Sequence, residues 1–141
     1  MQACSMDVVK IVPLPEATEY MSNLQTHFEI TLKQELGNIT INGEGPRTCN
    51  TSNIAFHGID GETLLLALDR AGVYASLGSA CSSGAIEPSR VLINMNLGRE
   101  IAKSSLRFSF SRKTTLEEIE NALFSIITLV KRQRCLTLRS I

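Results

Sequence analysis

One cysteine in this chain lies among small and polar residues, where its sulfur could react. Cys81 stands within residues 76–89, a stretch dominated by serine, glycine and alanine with neither helical nor strand periodicity. We predict a long loop there, with an exposed Cys81 thiol that Ser79, Ser82 and nearby backbone N–H groups could hydrogen-bond as a thiolate. Six or seven residues on either side would let the sulfur swing by more than ~10 Å. Such a thiol could collect a group in one place and release it in another, whereas a buried structural cysteine would be expected inside an apolar element.

One arginine lies on the polar side of the clearest alternating segment. Residues 105–110 alternate three apolar side chains with Ser105, Arg107 and Ser109. This alternation predicts a strand whose apolar side chains face the core and whose arginine projects from the opposite face. The planar fork of Arg107 suits bidentate binding of a carboxylate. A surface arginine on an edge strand would explain the same pattern.

The other cysteines and the two histidines give little support for a metal site. Cys4, Cys49 and Cys135 form no C-x-x-C pair with one another or with Cys81, and no histidine stands near a cysteine at ligand spacing. We interpret Cys49, in a loop, and Cys135, after the last helix, as incidental thiols. His57 is interpreted as a strand histidine with a satisfied hydrogen bond.

Composition and charge restrict the class of protein. The 141 residues suit one compact domain, and 43% apolar with 20% charged residues is ordinary globular usage. No apolar run approaches the roughly 20 residues of a membrane span, so we expect a soluble chain. Fourteen basic residues balance fourteen acidic ones, which argues against nucleic-acid binding. The first residues carry no export signal, so we expect a cytoplasmic, reducing compartment.

The secondary structure predicted around these residues defines an α+β fold. The expected elements, in chain order, are a helix over 16–36, strands over 39–42 and 53–58, a helix over 61–71 capped by Asp60, a strand over 73–75, a short helix over 89–94, the strand over 105–110, and a terminal helix that begins at the capping box Thr115-x-x-Glu118. We predict a small antiparallel or mixed sheet with helices covering one side. Residues 1–141 are expected to form a single domain.

The terminal helix carries an apolar stripe and, near its predicted end, a basic cluster. The stripe consists of Leu116, Ile119, Leu123, Ile126 and Val130. We expect the cluster of Lys131, Arg132 and Arg134 to complement the negative end of this helix, with an acidic partner as the alternative.

Four sequence blocks resemble the C-terminal part of cysteine desulfurases of the nitrogen-fixation and iron–sulfur-cluster type, within the class-V aminotransferases. They are Gly58-x-x-Gly61-Glu62-Thr63-Leu64, Gly78-Ser79-Ala80-Cys81-Ser82-Ser83, Glu87-Pro88-Ser89 and Ser104-Ser105-Leu106-Arg107-Phe108-Ser109. The blocks stand in the right order and at plausible distances, and the resemblance covers residues 7–134, about the last third of a full-length family member.

The resemblance implies the small domain of a fold-type-I enzyme that uses pyridoxal phosphate. Such an enzyme converts L-cysteine to L-alanine and keeps the sulfur as a persulfide. It implies that Cys81 is the catalytic nucleophile that bears the persulfide, and that Arg107 binds the substrate carboxylate. The long form of the Cys81 loop is similar to the subgroup that passes sulfur to an iron–sulfur scaffold protein. A homodimer is implied as well.

The cofactor-binding part of the family is not matched. In the family a lysine just after a histidine binds pyridoxal phosphate, and none of the five lysines here follows a histidine. We therefore expect that the large domain is absent from this chain, that the chain alone binds no cofactor, and that it is inactive. Two alternatives stay open. One is a non-enzymatic persulfide carrier or partner-binding domain, and the other is a fragment of a selenocysteine lyase.

Overall fold

A three-stranded antiparallel sheet packed against helices forms the centre of the molecule. The computed structural model describes residues 14–77, 94–96 and 98–140. The elements are helix α1 (Leu14–Leu36), strand β1 (Ile39–Ile41), strand β2 (Thr51–Phe56), helix α2 (Gly61–Arg70), helix α3 (Arg99–Lys103), strand β3 (Ser105–Ser109) and helix α4 (Leu116–Arg139). The strand order is β1-β2-β3. The predicted α+β fold with a small sheet covered by helices is confirmed.

The two faces of the sheet differ in chemistry. Leu106, Phe108 and Phe110 are all buried, which confirms the predicted alternation around β3. They join the core residues of β2, α1, α2 and α4, which include Ile54, Phe56, Phe28, Leu32, Leu64, Leu68, Ile126 and Val130. Rings pack edge-on within this core, with Phe28 and Phe110 centroids 5.3 Å apart. The other face carries polar side chains.

Helix α2 is held at its start by two local features. Asp60 accepts a hydrogen bond from the Thr63 N–H at 2.9 Å, as its predicted capping role requires. Gly61 lies against the backbone at the end of α3, and a Cβ atom there would overlap the Lys103 carbonyl oxygen. Only glycine lets these two elements approach so closely, so Gly61 helps to set the position of α3 and of the strand that follows it.

The basic cluster of α4 does not sit at the end of its own helix, so that prediction was wrong. Helix α4 continues to Arg139 and also includes Cys135, which was expected beyond the helix. Arg134 instead donates to the carbonyls of Leu36 and Asn38, at 2.8 and 2.9 Å, where α1 ends. It therefore complements the negative end of α1, and burial lowers the pKa of its guanidinium below the ordinary value.

Two further sequence predictions need correction. Residues 73–75 form no strand, because the chain reaches the sheet only at Ser76 and Tyr74 is 80% exposed. Leu116 is 55% exposed, since it is the first residue of α4 and lies ahead of the buried stripe. The predicted loop over 76–89 and the short helix over 89–94 fall almost wholly outside the described residues.

The remaining helix and strand boundaries agree closely with the predicted ones. Helix α1 starts two residues earlier than predicted and ends at Gly37, whose φ of 54° is the left-handed conformation of a helix C-cap. Strand β2 also starts two residues earlier. The capping box at Thr115 and Glu118 is present. No helix in the described ranges is long and apolar enough to cross a membrane.

Candidate functional site

The face of the sheet that points away from the core forms a polar surface. This polar face consists of side chains from three strands and their ends, namely Asn42, Thr51, Asn53, Ser105, Arg107 and Ser109. Side chains at alternate positions of a strand share a face, and directly opposed residues of neighbouring strands do so too. Arg107 is the charged member of this set.

Arg107 occupies the middle of β3 and is exposed. Its backbone is fixed on both sides, because it exchanges two hydrogen bonds with Ser76 and is paired in register with Asn53 of β2. Within the described residues its guanidinium makes no hydrogen bond or ion pair. The structure therefore places Arg107 on the exposed polar face, as the sequence predicted. Strand β3 is at the edge of the sheet, and a single bridge to Ser76 extends the sheet at this position.

Asn53 is the side chain nearest in register to Arg107. The N–H and C=O of Arg107 are both directed to Ser76, so Asn53 and Arg107 form a non-hydrogen-bonded pair in the β2–β3 ladder. In such pairs the Cα atoms are about 4.5 Å apart and the side chains are closer than in hydrogen-bonded pairs. Asn42, Asn53, Arg107 and Ser76 thus lie in one row across the sheet.

A buried hydrogen-bond network connects this row of side chains to helix α3. Ser105 Oγ donates to the Ile101 carbonyl at 2.6 Å. The Asn42 amide donates to Ser105 Oγ at 2.9 Å and to Asn53 Oδ1 at 2.7 Å. Asn42 and Ser105 are both buried, so these bonds form where water does not compete. The network joins Asn53 to helix α3 and restricts its rotamer.

Cys81 lies outside the described residues, so its predicted exposure and role stay predictions. Ser76, which is bonded to Arg107, precedes Cys81 by five residues in the sequence.

His57 and Cys49 take no part in the polar row. A hydrogen bond of 2.7 Å joins His57 Nε2 to Thr40 Oγ1, in agreement with its interpretation as a histidine with a satisfied bond, although it follows β2 and is not within it. His57 lines a cavity of about 420 Å³ with Asp60, Glu100 and Lys103. Cys49 is half-buried in the loop before β2, and no metal-binding group of acidic, cysteine and histidine side chains is found in the described residues.

A partly buried ion pair, which no sequence pattern predicted, joins α1 to the loop before β2. Arg47 donates to both carboxylate oxygens of Glu29, at 2.7 and 2.9 Å, and Ser52 Oγ donates to the same carboxylate at 2.6 Å. Burial by itself raises the pKa of Glu29, but these hydrogen bonds and the Arg47 charge outweigh it and lower that pKa below 4.5. The pair fixes the loop between β1 and β2 to α1. Its residues are 18 apart in the chain, with no local motif to mark them.

The described lysines do not fit a cofactor site by themselves. A Schiff-base lysine needs an enclosed surrounding that lowers its pKa, together with groups that hold the cofactor phosphate. Lys33, Lys103, Lys113 and Lys131 are all exposed on the surface, and Lys131 pairs with Glu35 at 3.5 Å. None of these four described lysines therefore has the enclosed surrounding of a Schiff-base lysine.

Comparison with known proteins identifies the family. Residues 3–122 match the family described as Aminotransferase class-V. A cysteine desulfurase of Enterobacter agglomerans is 40% identical over 135 residues, which are 96% of this chain and 33% of that protein. The cysteine desulfurase IscS of Clostridium botulinum is 38% identical over 86% of this chain and 31% of its own length. A crystal structure of a NifS-like protein from Rickettsia africae matches with a TM-score of 0.70 and 28% identity, over 82% of this chain and 29% of that one.

The chain therefore belongs to the class-V aminotransferase family, whose fold-type-I members use pyridoxal phosphate. Its curated relatives within that family are named cysteine desulfurases, which confirms the resemblance found in the sequence. The chain spans about a third of the length of these relatives.

Proposed function

We propose that this chain is the C-terminal, sulfur-handling domain of a cysteine desulfurase, and that it works with a large domain that holds pyridoxal phosphate. The observation that carries the proposal is the position of Arg107. It is an exposed guanidinium in the middle of a polar sheet face, with no partner among the described residues and with its backbone fixed by strand pairing on both sides. Such a group is prepared to bind an anion without first breaking an ion pair of its own.

Arg107 binds the carboxylate of L-cysteine in this proposal. The guanidinium presents parallel N–H groups in a rigid fork, which matches the two oxygens of a carboxylate. Strand β3 holds its backbone, so the carboxylate is fixed at a defined place on the polar face. A fixed carboxylate in turn orients the rest of a small amino acid, which is the main contribution of a binding residue to rate.

Cys81 accepts the sulfur. The Cys81 thiolate attacks the sulfur of the substrate, a new S–S bond forms, and the substrate's C–S bond breaks. The carbon atom takes the electron pair of that bond and gains a proton, so that L-cysteine and the Cys81 thiol give L-alanine and a Cys81 persulfide. Pyridoxal phosphate, when bound in the large domain, supplies the electron sink that makes the C–S bond breakable.

We extend the proposal to several properties of the complete enzyme. We expect the persulfide sulfur to pass to an iron–sulfur scaffold or another acceptor protein, the enzyme to be a homodimer, and the reaction to take place in the cytoplasm. We also expect no cysteine desulfurase activity from the chain by itself. This expectation is supported by the exposure of its described lysines and by the absence of a histidine before any of its five lysines.

The experiment joins this chain to the large domain of a cysteine desulfurase. The joined enzyme should release L-alanine from L-cysteine, and the chain alone should release none. A chain that takes up a sulfane sulfur from a persulfide donor, while the joined enzyme stays inactive, would favour the carrier function instead. L-alanine formation by the isolated chain would contradict the need for a large domain.

A further inference from the structure

The hydrogen-bond network behind the polar face has a fixed direction. It begins at the Ile101 carbonyl, which accepts hydrogen bonds and donates none. Ser105 Oγ lies 2.6 Å from this oxygen and uses its one proton there. The Asn42 group that lies 2.9 Å from Ser105 Oγ must then be the donor, which assigns it as the amide nitrogen. The two N–H groups of that nitrogen are used at Ser105 and at Asn53.

The direction of these hydrogen bonds determines which atom of the Asn53 side-chain amide remains free to bind a ligand. Because Asn42 donates to Asn53, the atom of Asn53 that lies next to Asn42 is its oxygen. The Asn53 Nδ2 group is therefore turned away from Asn42, and it has no hydrogen-bond partner in the described ranges. In this orientation the buried Oδ1 of Asn42 has no hydrogen-bond partner in the described residues. The orientation of the Asn42 amide is therefore determined by its neighbours Ser105 and Asn53, and not by its own oxygen.

Asn53 and Arg107 consequently present the same kind of group side by side. They are directly opposed as a non-hydrogen-bonded pair on one face of the sheet. Arginine offers N–H donors and no acceptor, and the free end of the Asn53 amide also offers N–H donors. No hydrogen bond joins the two side chains. One group that could satisfy both must be an acceptor with several lone pairs, such as a carboxylate.

We propose that Asn53 is a second carboxylate-binding residue, whose side-chain N–H supplements the Arg107 fork. The inference rests on the proposed function, since it assigns the same substrate to the same face. A carboxylate has about four lone-pair sites, of which a bidentate arginine uses two, so an amide donor can bind a third. Asn42 and Ser105 act as positioning residues, because they fix the Asn53 amide without reaching the substrate.

The test uses the enzyme joined to its large domain and two competitive inhibitors that differ by one group. L-alanine carries the carboxylate, and ethylamine is the same molecule without it. Asn53→Ala should raise the inhibition constant of L-alanine by roughly 10- to 100-fold, the loss expected for one hydrogen bond to a charged group. The constant of ethylamine should stay unchanged. Asn53→Asp should raise the L-alanine constant further, because it sets a negative charge beside the carboxylate.

Two controls separate binding from folding. Asn23→Asp makes the same chemical change at an exposed position of α1, on the other side of the sheet, and should leave both inhibition constants unchanged. Arg107→Ala serves as the reference. If Arg107→Ala weakens L-alanine binding while Asn53→Ala does not, only the Asn53 assignment is overturned. If Asn53→Ala weakens both inhibitors equally, its role is structural and the assignment is again wrong. If Arg107→Ala has no effect on L-alanine, the proposed carboxylate site and the Asn53 assignment fail together.

Discussion

Ser76 and Arg107 exchange two backbone hydrogen bonds, with N···O distances of 3.0 and 2.7 Å, and form a single bridge beside β3. This bridge joins the two ends of the proposed chemistry. It joins Arg107, the proposed carboxylate-binding residue, to Ser76, which precedes the proposed sulfur acceptor Cys81 by five residues in the sequence. In the proposed function, the bridge therefore links the strand that binds the substrate to the segment that receives its sulfur.

Loss of the Arg107 side chain should affect substrate binding far more than folding. In the joined enzyme, Arg107→Ala should lower kcat/KM for L-cysteine roughly 30- to 1000-fold, the loss of a charge-assisted bidentate contact. Arg107→Lys should recover only part of this loss, because an ammonium group has no fork. The melting temperature should hardly change, since Leu106 and Phe108 hold the strand from the other face. Near-normal kcat/KM would remove the substrate role, and a collapsed melting temperature would make Arg107 structural.

Much of the fold is encoded by short-range patterns. The alternation in β3, the Asp60 cap and the Thr115 capping box each lie within a few residues of sequence, and each is present as predicted. Arg107 could be placed on the polar face for the same reason. The predicted strand at 73–75 was wrong because only Ser76 reaches the sheet, which depends on the distant Arg107.

The contacts that position the site are of long range and could not be predicted. Asn42 and Ser105 are 63 residues apart, and Arg134 meets the end of α1 across 98 residues. Nothing near these residues in the sequence indicates their partners. A polar Asn42 directly after the alternating Ile39 and Ile41 was the available signal, and it was consistent with an ordinary strand end.

The Glu29–Arg47 pair should make stability depend on pH in the acid range. The pKa of Glu29 is lowered in the folded protein, so the pair stabilises the fold above the unfolded value near 4.5 and loses this effect as the pH falls through the folded pKa. Arg47→Ala should reduce the free energy of unfolding at pH 7 by about 1–3 kcal/mol, because it leaves a mostly buried carboxylate without its charge partner.

Urea denaturation at several pH values tests this effect. The difference between Arg47→Ala and the parent should shrink steadily as the pH falls from 4.5 through the lowered pKa of Glu29, because below that pKa the carboxyl group is protonated in both proteins. Lys131→Ala is the matched control, because its pair with Glu35 is exposed on both sides and should change stability by less than ~0.5 kcal/mol. A pH-independent difference for Arg47→Ala would contradict the role of the Glu29 charge.

A methyl group at Gly61 should disturb the support of the polar face. The new Cβ would overlap the Lys103 carbonyl and come within 3.0 Å of Leu77, so α3 must shift. We expect Gly61→Ala to cost about 1–3 kcal/mol of unfolding free energy, the range for overpacking a close contact. Gly98→Ala is the control, because a Cβ there meets nothing within 4 Å. Thermal melting of both variants tests this prediction. An unchanged melting temperature for Gly61→Ala would mean that α2 and α3 are not closely packed at this position.

Removal of Arg134 should loosen the end of α1. Its two hydrogen bonds to the Leu36 and Asn38 carbonyls are the contacts that would be lost, and Arg134→Ala should cost about 1–2 kcal/mol of unfolding free energy. The exposed neighbour Arg132 offers a matched control, and Arg132→Ala should cost less than ~0.5 kcal/mol. Equal effects of the two variants on urea denaturation would contradict the assignment of Arg134 to the end of α1.

In the proposed reaction the substrate sulfur is transferred to Cys81. The most direct measurement is the mass of the cysteine-containing peptides after the joined enzyme has reacted with L-cysteine in the absence of reductant. We predict one additional sulfur atom on the peptide that contains Cys81 and none on those with Cys49 or Cys135. Cys81→Ser should abolish the added sulfur without loss of cofactor binding, because a hydroxyl has neither the nucleophilicity of a thiolate nor the capacity to hold a sulfane sulfur. L-alanine formation with the extra sulfur on another cysteine, or with undiminished sulfur uptake by Cys81→Ser, would contradict the account.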